Sequence, residues 1–404
     1  MLSVDAAREQ ILAKLTAVDI EPVSLAQASG RVLAESPRAL LTQPPASMSA
    51  MDGYAVRSDD VIPGTPLKLG GEASAGHPFD GEVKPGHAVR IFTGAVVPKG
   101  ADAILIQEDT EPGVDGEVVP TANIAAGRNI RLAGIDFSEG DQPLKPGCLL
   151  TARHIGLVAA MNVTTIAAYR KPVVAVLSTG DEVKLPGSNL GPGDIVSSSG
   201  PALQAMLESW GCEVRNLGVA RDDQAALTAA FQSALGADLL LTTGGVSVGA
   251  HDLVRDVLEG AGDGELAFWR IAMRPGKPLM FGHVGQLPVL GLPGNPVSSL
   301  VCALLFVWPA VQKLRGMTPE PMPFLPAILN APLSKNGPRD HYQRASIEVD
   351  EAGGLHARAA DSQDSSLMTV LANADGLIFQ PAHSSALEAG SSVKVLRLKD
   401  FPGF

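Results

Sequence analysis

Between Lys171 and about residue 316 the chain alternates apolar runs with helical periods, and this most restricts what it can fold into. "PVVAVLS" is a continuous apolar run, as expected of a strand buried on both faces. The helix pattern "GPALQAMLESWG" follows, with Gly211 placed as its C-terminal cap. "EVRNLGVA", the helix "DQAALTAAFQSAL", the strand "ADLLLTT", the helix "HDLVRDVLEG", the strand "LAFWRIAM", "PLMFG" and "LPVLGL" continue the alternation. The helix "PVSSLVCALLFVWPAV" closes it. Strands alternating with helices predict a parallel, doubly wound α/β sheet.

The flanks read differently. Val4, Ala7, Ile11, Leu12 and Leu15 share one helical face, with Ser3 as cap. Short β-like runs such as "AVRIFTGAVV" and "ADAILIQED" are broken by Gly and Pro, predicting an irregular β domain over 46–139. "LTARHIGLVAAMNV" is helical again, so residues 1–45 and 140–170 are expected to pack as one helical connector around that insertion. The α/β unit takes 171–318, and short β runs such as "HYQRASIEV" and "SSVKVLRL" make 319–404 a small C-terminal β domain. A chain of 404 residues has room for two to four domains.

A net charge of −12 argues against a nucleic-acid or anionic-membrane binder, though not against an anionic small substrate. Cys148, Cys212 and Cys302 are an odd number without metal-ligand spacing, so a disulfide framework is not expected. "MLSVDAAREQILAKL" lacks a leader pattern, and "LVCALLFVWPAV" is too short to span a bilayer and ends at a proline. A soluble cytoplasmic protein is the expectation.

In an open parallel sheet, ligands bind outside the carboxyl ends of the strands. The predicted strands are followed there by "TGDE" with Asp181 and Glu182, "RDD" with Asp222 and Asp223, and "GGVSVGAHD" ending in Asp252. "RPGKP" adds Arg274 and Lys277, and "PGNP" spans Pro293 to Pro296. "TGDE" reads equally as a turn with a helix cap, "RDD" more readily as a cap, and "RPGKP" also as a surface loop. Gly244, Gly245 and Gly249 exceed what a turn requires; they permit close backbone approach, with successive amides forming an anion nest. No P-loop, G-x-G-x-x-G or zinc spacing occurs. Gly245–Gly249 satisfies G-x-S-x-G with Ser247 as nucleophile, a serine-hydrolase alternative. Thr242, Thr243 and Gly244 make that turn too long for an elbow, and no upstream oxyanion segment accompanies it. The acid of "SAMDGYAV", Asp52, reads as an Asp-Gly turn or as a catalytic carboxylate, and its own neighbourhood leaves both open.

Taken together, "SAMDGYAV", "IFTGAVVPKGADAILIQED", "STGDE", "TTGGVSVG..D", "RPGKP" and "GLPGNPVS", in this order, closely resemble the molybdopterin molybdotransferase family, which includes the gephyrin E domain. The resemblance covers essentially the whole chain. It implies a four-domain homodimer: a helical connector, an irregular β domain, an α/β domain similar to molybdopterin adenylyltransferase, and a C-terminal β-barrel-like domain. The active site would lie between the α/β domain and the partner's irregular β domain. The implied reaction inserts molybdate into adenylylated molybdopterin with magnesium-dependent release of AMP. The implied catalytic set is Asp52, Thr93, Asp136, Glu182, Asp222, Asp252 and Lys277, with Glu182, Asp222 and Asp252 as metal ligands. Ser178, Thr179, Gly180, Gly244, Gly245, Ser247, Gly249, Arg274, Pro293, Asn295 and Pro296 are the substrate-binding set. Molybdopterin adenylyltransferase and molybdoenzyme-maturation proteins are candidate partners. Ala250, Ile135 and Ser199 depart from the family pattern, which keeps a non-catalytic pterin-binding or scaffolding paralogue as the second reading.

Overall fold

The computed structural model describes residues 1–245, 253–260 and 264–404. Ser3 caps helix α1 (Val4–Ala13), its hydroxyl accepting from the Ala6 N–H at 3.2 Å. The apolar face of α1, with Leu15 beyond it, enters the core of the α/β unit. The connector expectation differs here. Helix α2 (Ala152–Ala160), capped by Thr151 and His154, belongs to a separate cluster with Val23, Leu33 and Ile166. Extended chain joins the two flanks of the β segment, Ile20–Ser24 pairing antiparallel with Thr165–Tyr169. The strand ladder pairs the backbone groups of the two flanks with each other.

Between those flanks lies a six-stranded sheet, in which Gly53–Val56 sits between His87–Ile91 and Ala103–Ile106. Gly53 has no alternative there: a Cβ would lie 2.1 Å from the Leu105 carbonyl oxygen.

The α/β unit runs β1 (Val173–Thr179), α3 (Ser199–Ser209), β2 (Glu213–Ala220), α4 (Gln224–Ala234), β3 (Leu239–Thr243) and α5 (Leu253–Gly260). It continues with β4 (Gly264–Phe268), β5 (Met280–Val284), β6 (Leu287–Leu292) and the continuous helix α6 (Pro296–Leu314). The spatial order is β2-β1-β3-β6-β5-β4. The sheet is mixed rather than wholly parallel: β2, β1, β3 and β6 run parallel, β5 pairs antiparallel with β6, and β4 pairs antiparallel with β5 and so runs with the first four. Only Gly285 and Gln286 separate β5 from β6, and so short a link makes a hairpin, since a parallel crossover needs a dozen or more residues. Of the expected strand "LAFWRIAM", the second half leaves the sheet: Met273–Arg274 pairs with Asp340–His341 of the C-terminal unit.

Alternation along each strand serves two cores. Val174, Val176, Leu239, Leu241, Leu290 and Leu292 face the core shared with α3 and α6, while Ala175, Leu177, Leu240 and Val289 face that of α4 and α5. The apolar run of α6 does not end at its proline. A π-helical turn, Ala303–Val307, precedes Pro309 and absorbs the missing donor and the ring. By length and composition α6 could cross a membrane, but its most apolar window is 89% buried inside the chain.

In the C-terminal unit Asp340–Val349 pairs on both sides, with Leu355–Ala359 and Gly376–Gln380. Leu325–Leu329 and Ser392–Arg397 complete the circuit, closing a small barrel without free edges.

Candidate active site

The carboxyl ends of β1, β3 and β6 border a cavity of about 760 Å³. The floor is backbone on backbone. Gly244 and Gly245 adopt φ +85° and +65°; a Cβ on Gly244 would lie 2.6 Å from the Thr179 carbonyl oxygen, and one on Gly245 2.5 Å from Val254 Cγ2. Hydroxyls line the wall, with Ser178 Oγ 3.2 Å from Ser197 Oγ and accepting from Thr243 Oγ1 at 3.2 Å. Thr179 Oγ1 is buried with no partner among the described residues.

The "RDD" loop divides its labour. Asp223 caps α4, accepting from the Ala226 N–H at 2.8 Å, whereas Asp222 lines the cavity with Glu182. Burial raises the Asp222 carboxyl above its ordinary value, and the neighbouring charges of Asp181 and Glu182 raise it further. Asp181 itself turns to Arg221, 3.6 Å away, on the wall of an adjoining cavity of about 440 Å³. Lys277, Pro293, Asn295 and Pro296 close the main cavity's other side. Asn295 Nδ2 donates to Ser365 Oγ at 2.8 Å, bringing the neighbouring Ser366 and Met368 of the C-terminal unit to the rim.

Arg274 does not line this cavity. Its guanidinium meets His341 Nδ1 at 2.6 Å at the junction with the barrel, where burial and surrounding arginines depress the histidine to about 3. A neutral imidazole there can accept the arginine proton. Of the expected residues, Ser178, Thr179, Gly180, Glu182, Asp222, Gly244, Gly245, Lys277, Pro293, Asn295 and Pro296 are brought together. Ser247, Gly249 and Asp252, like Ala250, lie outside the described residues.

Asp52, Thr93 and Asp136 belong to the β unit and do not line the cavity of their own chain. Asp52 Oδ1 accepts from the Thr93 N–H at 2.7 Å and from Thr93 Oγ1 at 2.8 Å. Those two bonds, and then the Arg90 charge, hold its carboxyl below the usual range. Asp136 is exposed, its N–H bonded to the Gln43 carbonyl at 3.2 Å.

Three family models match the chain: MoeA N-terminal region (domain I and II) over 2–162, probable molybdopterin binding domain over 175–313, and MoeA C-terminal region (domain IV) over 326–398. The molybdopterin molybdenumtransferase of Haemophilus influenzae is 36% identical over 398 residues, covering 98% of both chains. The chain belongs to the molybdopterin molybdenumtransferase family. The Bacillus subtilis member is 32% identical, covering 95% of this chain and 91% of that one. A crystal structure of a molybdopterin biosynthesis MoeA protein from Pyrococcus horikoshii superposes with TM-score 0.84 at 31% identity, over 98% of this chain and 99% of that one. Membership makes this chain an enzyme, a transferase of molybdenum cofactor biosynthesis.

Among the described residues no three His, Cys, Asp or Glu side chains converge as a complete metal cage. Glu182 and Asp222 share the cavity wall as hard oxygen donors. Burial first, and then the charges of Asp181 and Glu182, raise Asp222, and a divalent cation relieves such crowding, so the donor set fits a cation that keeps several waters. Sequence reasoning passed over Ser197, Ser198, Ser298, Ser366 and Met368 as lining residues, and treated Ser199 only as a departure. The run of three serines opening α3 was the available signal for the first of these. Ser366 and Met368 carry none, because only the barrel's placement brings them there.

Proposed function

We propose that this chain inserts molybdenum into adenylylated molybdopterin with magnesium-dependent release of AMP. The observation that carries the reading is one cavity combining paired carboxylates, a cation, hydroxyls and glycine backbone at the carboxyl edge of the sheet. Its volume of about 760 Å³ suits a ligand of nucleotide size.

The hydroxyls of Ser178, Ser197 and Thr243 and the amides at Gly244 and Gly245 would hold the polar pterin or phosphate end. Lys277 would draw molybdate or a phosphate oxygen into a cavity whose other charges among the described residues are negative. Glu182 and Asp222 would hold the magnesium ion. When bound, that ion neutralises charge on phosphate oxygens. Asp52, kept ionised by Thr93, is an acceptor able to take a proton at Oδ2, since Oδ1 is engaged. Because Asp52, Thr93 and Asp136 do not line their own chain's cavity, a second copy would supply them, making the active unit a homodimer. We place the enzyme in the cytoplasm, receiving substrate from molybdopterin adenylyltransferase and passing product to molybdoenzyme-maturation proteins.

The test is AMP release from adenylylated molybdopterin, with and without magnesium and molybdate. Release that rises with molybdate supports the reading; binding without AMP under every metal condition supports a scaffold instead. Equilibrium sedimentation tests the dimer, and a monomer that retains full turnover defeats the shared site.

A further inference from the structure

The β unit holds Asp52 with a device that neither the family match nor the cavity accounts for. In the antiparallel ladder Tyr54 stands directly opposite Arg90, and Phe92 follows Arg90 by two residues, so all three side chains emerge on one face of the sheet. The Arg90 guanidinium carbon lies 5.0 Å from the Tyr54 ring centroid and 4.8 Å from that of Phe92. Its two ends are tied down as well: Nη1 donates to the Gly53 carbonyl at 3.2 Å, and Nη2 to Gln107 Oε1 at 2.9 Å. Gln107 in turn gives its backbone N–H to the Asp52 carbonyl at 3.3 Å.

The sequence positions make this more than packing. Tyr54 follows the Asp52–Gly53 turn by one residue, and Phe92 immediately precedes Thr93, which supplies both hydrogen bonds to Asp52. One planar cation therefore touches an aromatic from each of the two segments that form the Asp52–Thr93 pair, and a carbonyl from the first. We propose that Arg90 is a positioning residue for the reaction, a guanidinium clamp that fixes Asp52 against Thr93. The proposal rests on the reading of Asp52 as a group of the reacting site. The residue type follows from the geometry: a guanidinium stacks against both rings while its edge donates in fixed directions, whereas an ammonium keeps the charge but cannot do both. The two Thr93 bonds do most to lower the Asp52 carboxyl and the Arg90 charge adds a smaller lowering, so the clamp acts on that carboxyl chiefly by holding Thr93 in place.

The experiment measures AMP release and thermal stability for Arg90→Met, Arg90→Lys, Asp52→Asn and the double variant Asp52→Asn/Arg90→Met in the full chain. Misplacing a positioned group costs on the order of 10–100-fold. Arg90→Met is expected to lose that in kcat with KM little changed, and to move the acid limb of the pH profile upward. Arg90→Lys, which keeps the charge without the clamp, should bring back only the smaller part of that shift and not the rate. The double variant should turn over no more slowly than Asp52→Asn, because Arg90 acts only through Asp52. Wild-type kcat in Arg90→Met while Asp52→Asn is impaired overturns the clamp alone, and so does a double variant slowed by the full product of the single effects. Wild-type turnover in Asp52→Asn removes the reading of Asp52 and the clamp with it. If Arg90→Met fails to fold, Tyr54→Leu, which removes one ring and leaves the cation, carries the same comparison.

Discussion

Gly244→Ala, set against Gly236→Ala, isolates what the close backbone approach under the cavity contributes. Both glycines hold left-handed φ, +85° and +80°, so an alanine meets the same conformational penalty at either, about 1–2 kcal/mol. Their surroundings differ. A Cβ on Gly236 meets nothing within 4 Å, whereas one on Gly244 lies 2.6 Å from the Thr179 carbonyl oxygen and 3.0 Å from Thr179 Oγ1. That carbonyl belongs to β1, which is paired on both sides and cannot swing aside, so the strand end must shift, at about 1–3 kcal/mol more. The expected losses are about 1–2 kcal/mol for Gly236→Ala and about 2–5 kcal/mol for Gly244→Ala. Trp210, Trp269 and Trp308 are the chain's three tryptophans and all lie in the α/β unit, so tryptophan fluorescence in urea reports on that unit alone. With a slope of about 2 kcal/mol per molar, the two midpoints should differ by about 1 M. Substrate binding should weaken only in Gly244→Ala. Equal midpoints for the two variants would refute the claim that the close approach, rather than φ, demands glycine at 244.

Asp223→Ala should cost about 1 kcal/mol through loss of the α4 cap and leave turnover unchanged, read by urea titration alongside AMP release. Asp222→Asn should abolish turnover and remove a pH dependence of stability. Its folded carboxyl value is raised, so the wild type binds the proton more tightly when folded and loses stability as pH rises through that value; urea midpoints across the acid range should lose this slope in the variant. Cys212, pushed up to about 12 by burial, and buried Cys302 should resist alkylation in the native enzyme, while half-exposed Cys148 takes one adduct by mass spectrometry. Asp238→Ala removes bonds of 2.6 and 2.7 Å to Arg170 and of 2.7 Å to the Val173 N–H; with Arg170 30% exposed, a loss of about 2 kcal/mol in the urea midpoint is expected.

Local signals account for much of what was legible. Apolar runs of period one and helical runs of period 3.6 placed the α/β elements, and glycine after α3 placed its end. The loops after β1, β2, β3 and β6 were found because chain connectivity puts strand ends on one edge. The same reasoning misplaced Arg274 beside Lys277, three residues on in the same loop. Met273–Arg274 leaves the sheet to pair with the barrel, and no local pattern announces a partner near residue 340. It also read a wholly parallel sheet, because the direction of β5 depends on the short turn that follows it rather than on its own apolar pattern.

By itself the sequence determined most strands and helices of the α/β unit, which loops carry acids, cations and glycines, and through its ordered motifs the family. Those are properties of neighbours along the chain, where steric preference and periodicity act directly. Tertiary structure alone decided that Asp222 faces the cavity while Asp223 caps a helix, that Ser366 reaches the rim, and that Tyr54 and Phe92 close around Arg90. Each of these depends on contacts between segments far apart in the chain. Their energy comes from packing and shared hydrogen bonds that exist only once the strands are in register.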